Sequence, residues 1–151
     1  IYLGLDNHSA AVECAIKETS SGAGAIEALI RAAADHYGDR KDELRLAYLV
    51  PQVGSAGATQ IDAEMLAKIR PFNDRIYGAV AEKIRQDQYA GLIADEIDGR
   101  QLAFLAHTSE LGMLTVEGLA EAANDAPLLH SRQPMVDELV STFRARLAPS
   151  D

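Results

Sequence analysis

The sequence predicts an all-α fold of about six helices, and three observations predict it. Apolar residues recur at three- and four-residue steps along most of the chain, alternation never persists beyond a few residues, and β-branched residues are sparse. At 151 residues the length fits one domain, 1–151, able to bury most of its apolar side chains in a single core. Aromatics make up only 5% and Trp is absent, so Ala supplies much of the apolar count, as suits closely packed helices.

The first helix is expected over residues 9–18, where Ala11, Val12, Ala15 and Ile16 recur at helical spacing before Thr19-Ser20-Ser21-Gly22 stops the pattern. A second covers residues 24–37, with Ile26, Leu29, Ile30, Ala33 and Tyr37 on one stripe and Gly38-Asp39 ending it. A short third helix, capped by Asp39 or Asp42, runs through Leu44, Leu46, Ala47, Leu49 and Val50 to Pro51. Residues 52–60, rich in Gly, Ser and Ala, read as a loop.

Asp62 is placed to cap a long helix carrying Leu66, Ile69, Asn73, Ile76, Val80 and Ile84. Its face continues across Pro71, which must kink the helix or begin a new one, because the ring clashes with the preceding turn and has no N–H to donate. Ala90-Gly91 ends that helix. Asp95-Glu96-Ile97-Asp98 opens the next, which extends to about Ala123 and is almost unbroken in small and apolar residues. After a loop at 124–130, Ser131 is a suitable N-cap for the last helix, whose stripe is Val136, Leu139, Val140, Phe143 and Leu147. Pro149 follows it.

The net charge of −9, with no Lys/Arg-rich stripe, argues against direct binding of nucleic acid by these residues. The single cysteine, Cys14, excludes an internal disulfide framework and paired-thiolate zinc signatures, and a reducing cytoplasm is the expected location. No stretch approaches the roughly 20 apolar residues of a membrane span, so no membrane partner is expected. The N-terminal Ile1-Tyr2-Leu3-Gly4-Leu5-Asp6 has neither a Met nor a basic region, which suggests a fragment of a longer protein.

Several strings together carry a family likeness: Tyr48-Leu49-Val50-Pro51-Gln52, Ile69-Arg70-Pro71-Phe72-Asn73-Asp74-Arg75-Ile76-Tyr77, Asp87-Gln88-Tyr89-Ala90-Gly91-Leu92-Ile93, and residues 98–107. In this order they resemble the C-terminal regulatory domain of TetR-family transcriptional repressors, over nearly the whole chain. In that family a long helix commonly ends in an x-Q-x-A-G-x-I phrase before an acidic turn and the first dimerisation helix, and residues 87–93 fit it. The resemblance implies homodimerisation through the two C-terminal helices, allosteric control by a small effector, and DNA binding only through an N-terminal helix-turn-helix domain that nothing in these 151 residues supplies. Residues 1–6 would then begin the connecting helix.

The candidate dimer seam is read from the residues as well. Ala106, Ser109, Gly112 and Val116 form a small-residue stripe that allows close helix approach, facing the apolar stripe Val136, Leu139, Val140, Phe143 and Leu147 of the last helix. The alternative is that both stripes pack within one subunit. The candidate lining of a pocket for a small, mostly apolar effector is Tyr48 and Gln52, then Phe72, Ile76 and Tyr77 after the proline, then Phe104, His107, Thr108, Leu111 and Met113. Plain core packing is the competing explanation for each of these residues.

His107 and Glu110 stand at the i, i+3 spacing that can share a metal, but two groups do not make a site and no second His–carboxylate pair accompanies them. No glycine-rich phosphate loop and no nucleophile motif around Cys14 or Ser109 is present, and the Glu117/Glu121 pair reads as a solvated face, so neither a cofactor nor an enzymatic activity is expected. The function expected is effector sensing and homodimerisation. The alternative is a helical dimerisation or adaptor module without a ligand.

Overall fold

The computed structural model describes residues 2–44, 63–124 and 131–149, and its described residues are all-helical, with six helices and no strand. They are α1 (Tyr2–Lys17), α2 (Gly22–Gly38), α3 (Lys41–Leu44), α4 (Ala63–Tyr89), α5 (Gly99–Ala123) and α6 (Arg132–Arg146). The expected continuation of α3 to Val50, the loop at 52–60 and the Asp62 cap lie outside the described residues.

Helix α2 is the centre of the fold, packing against α1, α3, α4, α5 and α6. Its sequence explains why. Small and branched residues alternate around the helix, so Ala25, Ile26, Leu29, Ile30, Ala33, Ala34 and Tyr37 are all buried. Around it, Val12 and Ile16 from α1, Ile76, Val80 and Ile84 from α4, Ala103 and Ala106 from α5, and Val136, Val140 and Leu147 from or beside α6 complete the main core.

Both ends of α2 are tied to other elements. At its N-terminus the Ser21 hydroxyl accepts from the Gly24 N–H at 3.0 Å, and the Gly22 N–H donates to Asp87 Oδ2 of α4 at 2.7 Å. The helix thus starts at Gly22, two residues before the expected start at residue 24. At its C-terminus Arg132 of α6 lies against Gly38, where any Cβ would collide with the guanidinium. Arg132 also grips Glu117 of α5, with Nε 3.1 Å from each carboxylate oxygen.

The end of α4 shows what the Gln88-Tyr89-Ala90-Gly91 phrase does physically. Gly91 adopts φ +70 and the Leu92 N–H donates to Asp87 O at 2.9 Å, the six-to-one bond of a Schellman C-cap. The Gln88 amide nitrogen then donates to the carbonyls of Ala94 at 2.9 Å and Ile97 at 3.0 Å. One side chain thereby holds the turn into α5, whose N-terminus is capped by Asp98 accepting from the Gln101 N–H at 3.0 Å.

Three boundary expectations can be set beside the observed helices. Helix α1 begins at Tyr2 rather than Ser9, because Gly4 and Asn7 interrupt the apolar signal without breaking the helix. Of the two outcomes expected at Pro71, a kink or a new helix, the second does not occur: α4 is one element with Pro71 inside it, and packing of its later turns against α2 and α5 outweighs the lost hydrogen bond. Ser131 occupies the N-cap position of α6 but makes no side-chain capping bond.

Gly22→Ala should destabilise the protein by about 1–3 kcal/mol, since a Cβ there would stand 2.7 Å from Ile84 Cγ1 and 3.0 Å from its backbone Cα. Urea denaturation measures this, and an unchanged midpoint would mean that α2 and α4 can separate freely.

Candidate functional site

The arrangement that stands out is a polar corner inside the helical core. His8 of α1, His107 and Glu110 of α5 are 3%, 4% and 0% exposed, in a protein whose other described buried side chains are almost all apolar. Each is placed by its helix period. His8 continues the stripe Val12 and Ile16, and Glu110 continues Ala103, Ala106 and Leu114. These are core positions occupied by polar residues.

Aromatic rings join the corner from α2 and α4. His8 stacks on His36 at 4.3 Å between ring centroids and lies 4.8 Å from Tyr37. Tyr77 of α4 meets His107 at 6.0 Å and Phe104 at 5.9 Å, both edge to face. Tyr37 also packs with Leu44, Leu111 and Leu114 in a second apolar cluster, which Met113 joins to the main core.

The polar atoms at the centre are not satisfied. His8 Nε2, His107 Nδ1 and both carboxyl oxygens of Glu110 have no hydrogen-bond partner among the described residues. His107 Nδ1 and Glu110 Oε2 are 3.9 Å apart, beyond hydrogen-bond reach. Burial first, and the charge of Asp35 second, push the Glu110 carboxyl up to about 9. Burial pulls His107 down to about 4, and burial together with His36 and His107 pulls His8 down to about 3. At neutral pH the corner therefore holds a protonated acid and two neutral imidazoles, not an ion pair.

Of the candidate pocket residues, the structure brings together Tyr77, Phe104 and His107. Phe104 is 51% exposed, and its ring meets Tyr77 on the surface side. Ile76 and Leu111 are buried in apolar clusters, and Met113 is partly buried between them. Thr108 is exposed and its hydroxyl donates to Phe104 O of its own helix at 2.9 Å, which takes it out of the corner. Tyr48 and Gln52 lie outside the described residues, as does the side chain of Phe72.

The sequence reading missed His8, Tyr37 and the role of Glu110. His8 was hidden by starting the first helix too late, although its four-residue step to Val12 and Ile16 was a usable signal. Glu110 was seen only as a neighbour of His107, although its step to Ala106 and Leu114 placed it on the inward face. Among the described residues no group of three His, Cys, Asp or Glu could hold a metal ion.

A second feature is the outer face of α5. Leu105, Ser109, Gly112, Val116 and Leu119 follow at steps of four, three, four and three and are all exposed, with Leu105 at 48%, Val116 at 51% and Leu119 at 58%. Beside them Met135 of α6 is exposed, and a groove of about 340 Å³ runs between the two helices, lined by Ser109, Gly112, Val116 and Met135 among others. The structure divides the residues of the expected seam between a covered and an open face. Ala106, Val136, Val140 and Leu147 are buried within their own subunit, and Leu139 and Phe143 pack partly against the same core, because α2 claims those faces. The outward side of α6 is instead Met135, Glu138, Thr142 and Ala145.

Comparison of the chain with protein-family models, curated proteins and solved structures gave no match. Among the described residues no helix is long and apolar enough to cross a membrane.

The polar corner sets opposing pH dependences. Glu110 has a folded value above its ordinary 4.5, so its stabilising contribution is whole below that pH and is lost as pH rises toward about 9. His8 and His107 have folded values below 6.5, so their contribution is whole above 6.5 and is lost as pH falls toward about 3 and 4, respectively. Glu110→Gln should therefore raise the unfolding free energy at about pH 8 by roughly 2–4 kcal/mol and have little effect near pH 5. Denaturant titrations at the two pH values check this; an equal shift at both would show that Glu110 is ionised in the fold.

Proposed function

We propose that this chain is the effector-sensing and homodimerisation domain of a TetR-like transcriptional regulator, in which ligand binding controls DNA contact made by a reader domain joined to α1. The observation that carries the sensing role is the set of unpartnered polar atoms on His8, His107 and Glu110 inside the core. Buried polar groups are nearly always paired, and a group left unpaired costs about 1–3 kcal/mol. A bound molecule that pairs them offsets this cost and is favoured by it.

The location suits control of α1. His8 belongs to α1, Tyr77 to α4 and Glu110 to α5, and α1 packs on both α2 and α4. A ligand touching these elements would favour one placement of α1 over another, which is how an effector could alter the spacing of two reader domains. Its leverage is limited to its difference in affinity for the two placements.

The dimer role is supported by the outer face of α5. Its four-three spacing is that of a helix seam, and the small Ser109 and Gly112 at its middle permit close approach. A Cβ added at Gly112 meets nothing within 4 Å in the single chain, so nothing inside the subunit requires glycine there. With a net charge of −9 the isolated chain is expected not to retard DNA in a saturable, sequence-dependent way at physiological salt.

Val116→Asp should convert the dimer to monomer in sedimentation while leaving helicity unchanged, because Val116 is half exposed and a charge buried at the seam has no counter-ion. A dimer that survives this change would remove the α5 seam from the proposal. For sensing, a ligand at a hundredfold excess over its dissociation constant should add about 2.7 kcal/mol to unfolding stability. Tyr77→Ala should reduce that gain and leave the dimer intact. If a broad screen of apolar small molecules gives no thermal shift, the adaptor reading takes its place.

A further inference from the structure

Glu110 is an unusual residue to find at a fully enclosed position on α5. A Leu or Gln there would spare the protein the cost of keeping a carboxyl group out of water. Both of its oxygens lack partners among the described residues, and so does His107 Nδ1, 3.9 Å from the nearer one. His8 Nε2 is the fourth such atom. With the carboxyl ionised and each imidazole in the tautomer that leaves the named nitrogen bare, all four can accept a hydrogen bond, and none has a partner among the described residues.

We propose that the effector carries a positively charged nitrogen, a protonated amine or amidine, and that the Glu110 carboxylate is its counter-ion, with His107 Nδ1 as a second acceptor. This rests on the sensing role proposed above and names the chemistry of its ligand. An ammonium group offers three donors and no acceptor, which complements an acceptor-rich corner better than an amide or alcohol does. An anion is disfavoured, since Asp35 adds negative charge nearby and no Lys or Arg is buried among the described residues. The ring of Tyr77, edge to face with His107, brings an aromatic wall close to the position the cation would take.

The proton balance is explicit. Empty, the corner holds Glu110 as a neutral acid, with Asp35 of α2 the charged neighbour that disfavours its ionisation. His8 from α1, Tyr37 from α2, Tyr77 from α4 and His107 from its own helix are the other titratable groups lining the corner, and His36 beyond them is paired with Glu43 of α3 at 3.3 Å. When the cation binds, Glu110 gives its proton to solvent and the ligand keeps its own. Binding then releases one proton, so the apparent affinity should rise about tenfold per pH unit between roughly pH 6 and 8.

The test uses the whole chain and two matched probe sets of different shape: phenethylamine, phenethyl alcohol and phenylacetate, and octylamine, octanol and octanoate. Binding is read by isothermal calorimetry in two buffers of different ionisation enthalpy. The amine of at least one set should bind about tenfold or more tighter than its alcohol and release one proton, and Glu110→Gln should abolish that preference while the alcohol still binds. The proton release is measured on the unaltered protein, so it stands even if the variant folds poorly. If the alcohols or acids bind as tightly as the amines, or amine binding is independent of pH, the cationic assignment is overturned and the sensing role survives. If no compound of any charge binds, the sensing role fails and this assignment fails with it.

Discussion

The structure depends on the enclosure of α2. A helix surrounded by five others must be narrow where they approach and filled where they leave space, and the Gly22, Ala25, Ala33 and Ala34 positions interleaved with Ile26, Leu29 and Ile30 meet both demands. Burying one Ile or Leu is worth about 1.5–3 kcal/mol, whereas the half-exposed pairs Arg31–Asp137 and Arg144–Glu27 between α2 and α6 are each worth at most about 1 kcal/mol. The apolar faces therefore hold the bundle together. The ion pairs, with Asp87 at one end of α2 and Arg132 at the other, fix how far each neighbour slides along it.

Against that background the polar corner runs counter to the fold's own interest. The helices that enclose His8, His107 and Glu110 could bury apolar residues there instead and gain stability. Three ionisable groups are kept in their uncharged forms chiefly by the surrounding packing, helped by Asp35 at Glu110 and by the neighbouring imidazoles at His8. A site of this kind responds strongly to anything that supplies donors or charge, because the groups begin without partners and in a medium that screens little. It also joins α1, α4 and α5, so under the proposed function a change of occupancy would reach the elements that pack around the N-terminal helix.

Helix α5 connects this corner with the outer surface. Its inward face carries Ala103, Ala106, Glu110 and Leu114, and its outward face carries Leu105, Ser109, Gly112, Val116 and Leu119. Under the proposed function, a rigid helix with the polar corner on one side and an exposed apolar face on the other would offer a direct mechanical route between sensing and association. On this reading Arg132 has a part as well: by gripping Glu117 of α5 and lying against Gly38 of α2, it holds α6 in register with the same surface.

The all-α class and several helix ends were legible in the sequence alone, since they depend on local chemistry: the apolar period, Ala90-Gly91 ending α4, the acidic run 95–98 opening α5, and the end of α5 near Ala123. Candidate residues were legible where their type was informative by itself, which is why Tyr77, Phe104 and His107 were found together. Only the tertiary structure decided which face of each helix is spent inside the subunit. The sequence gives Val136, Val140 and Leu147 the same stripe whether they meet α2 or a second chain, and α2 is the partner that takes them. It likewise puts Glu110 on the same stripe as Ala106 and Leu114 without deciding whether that stripe is covered. Exposure is settled by what packs across from a residue, and those neighbours come from segments distant in the chain.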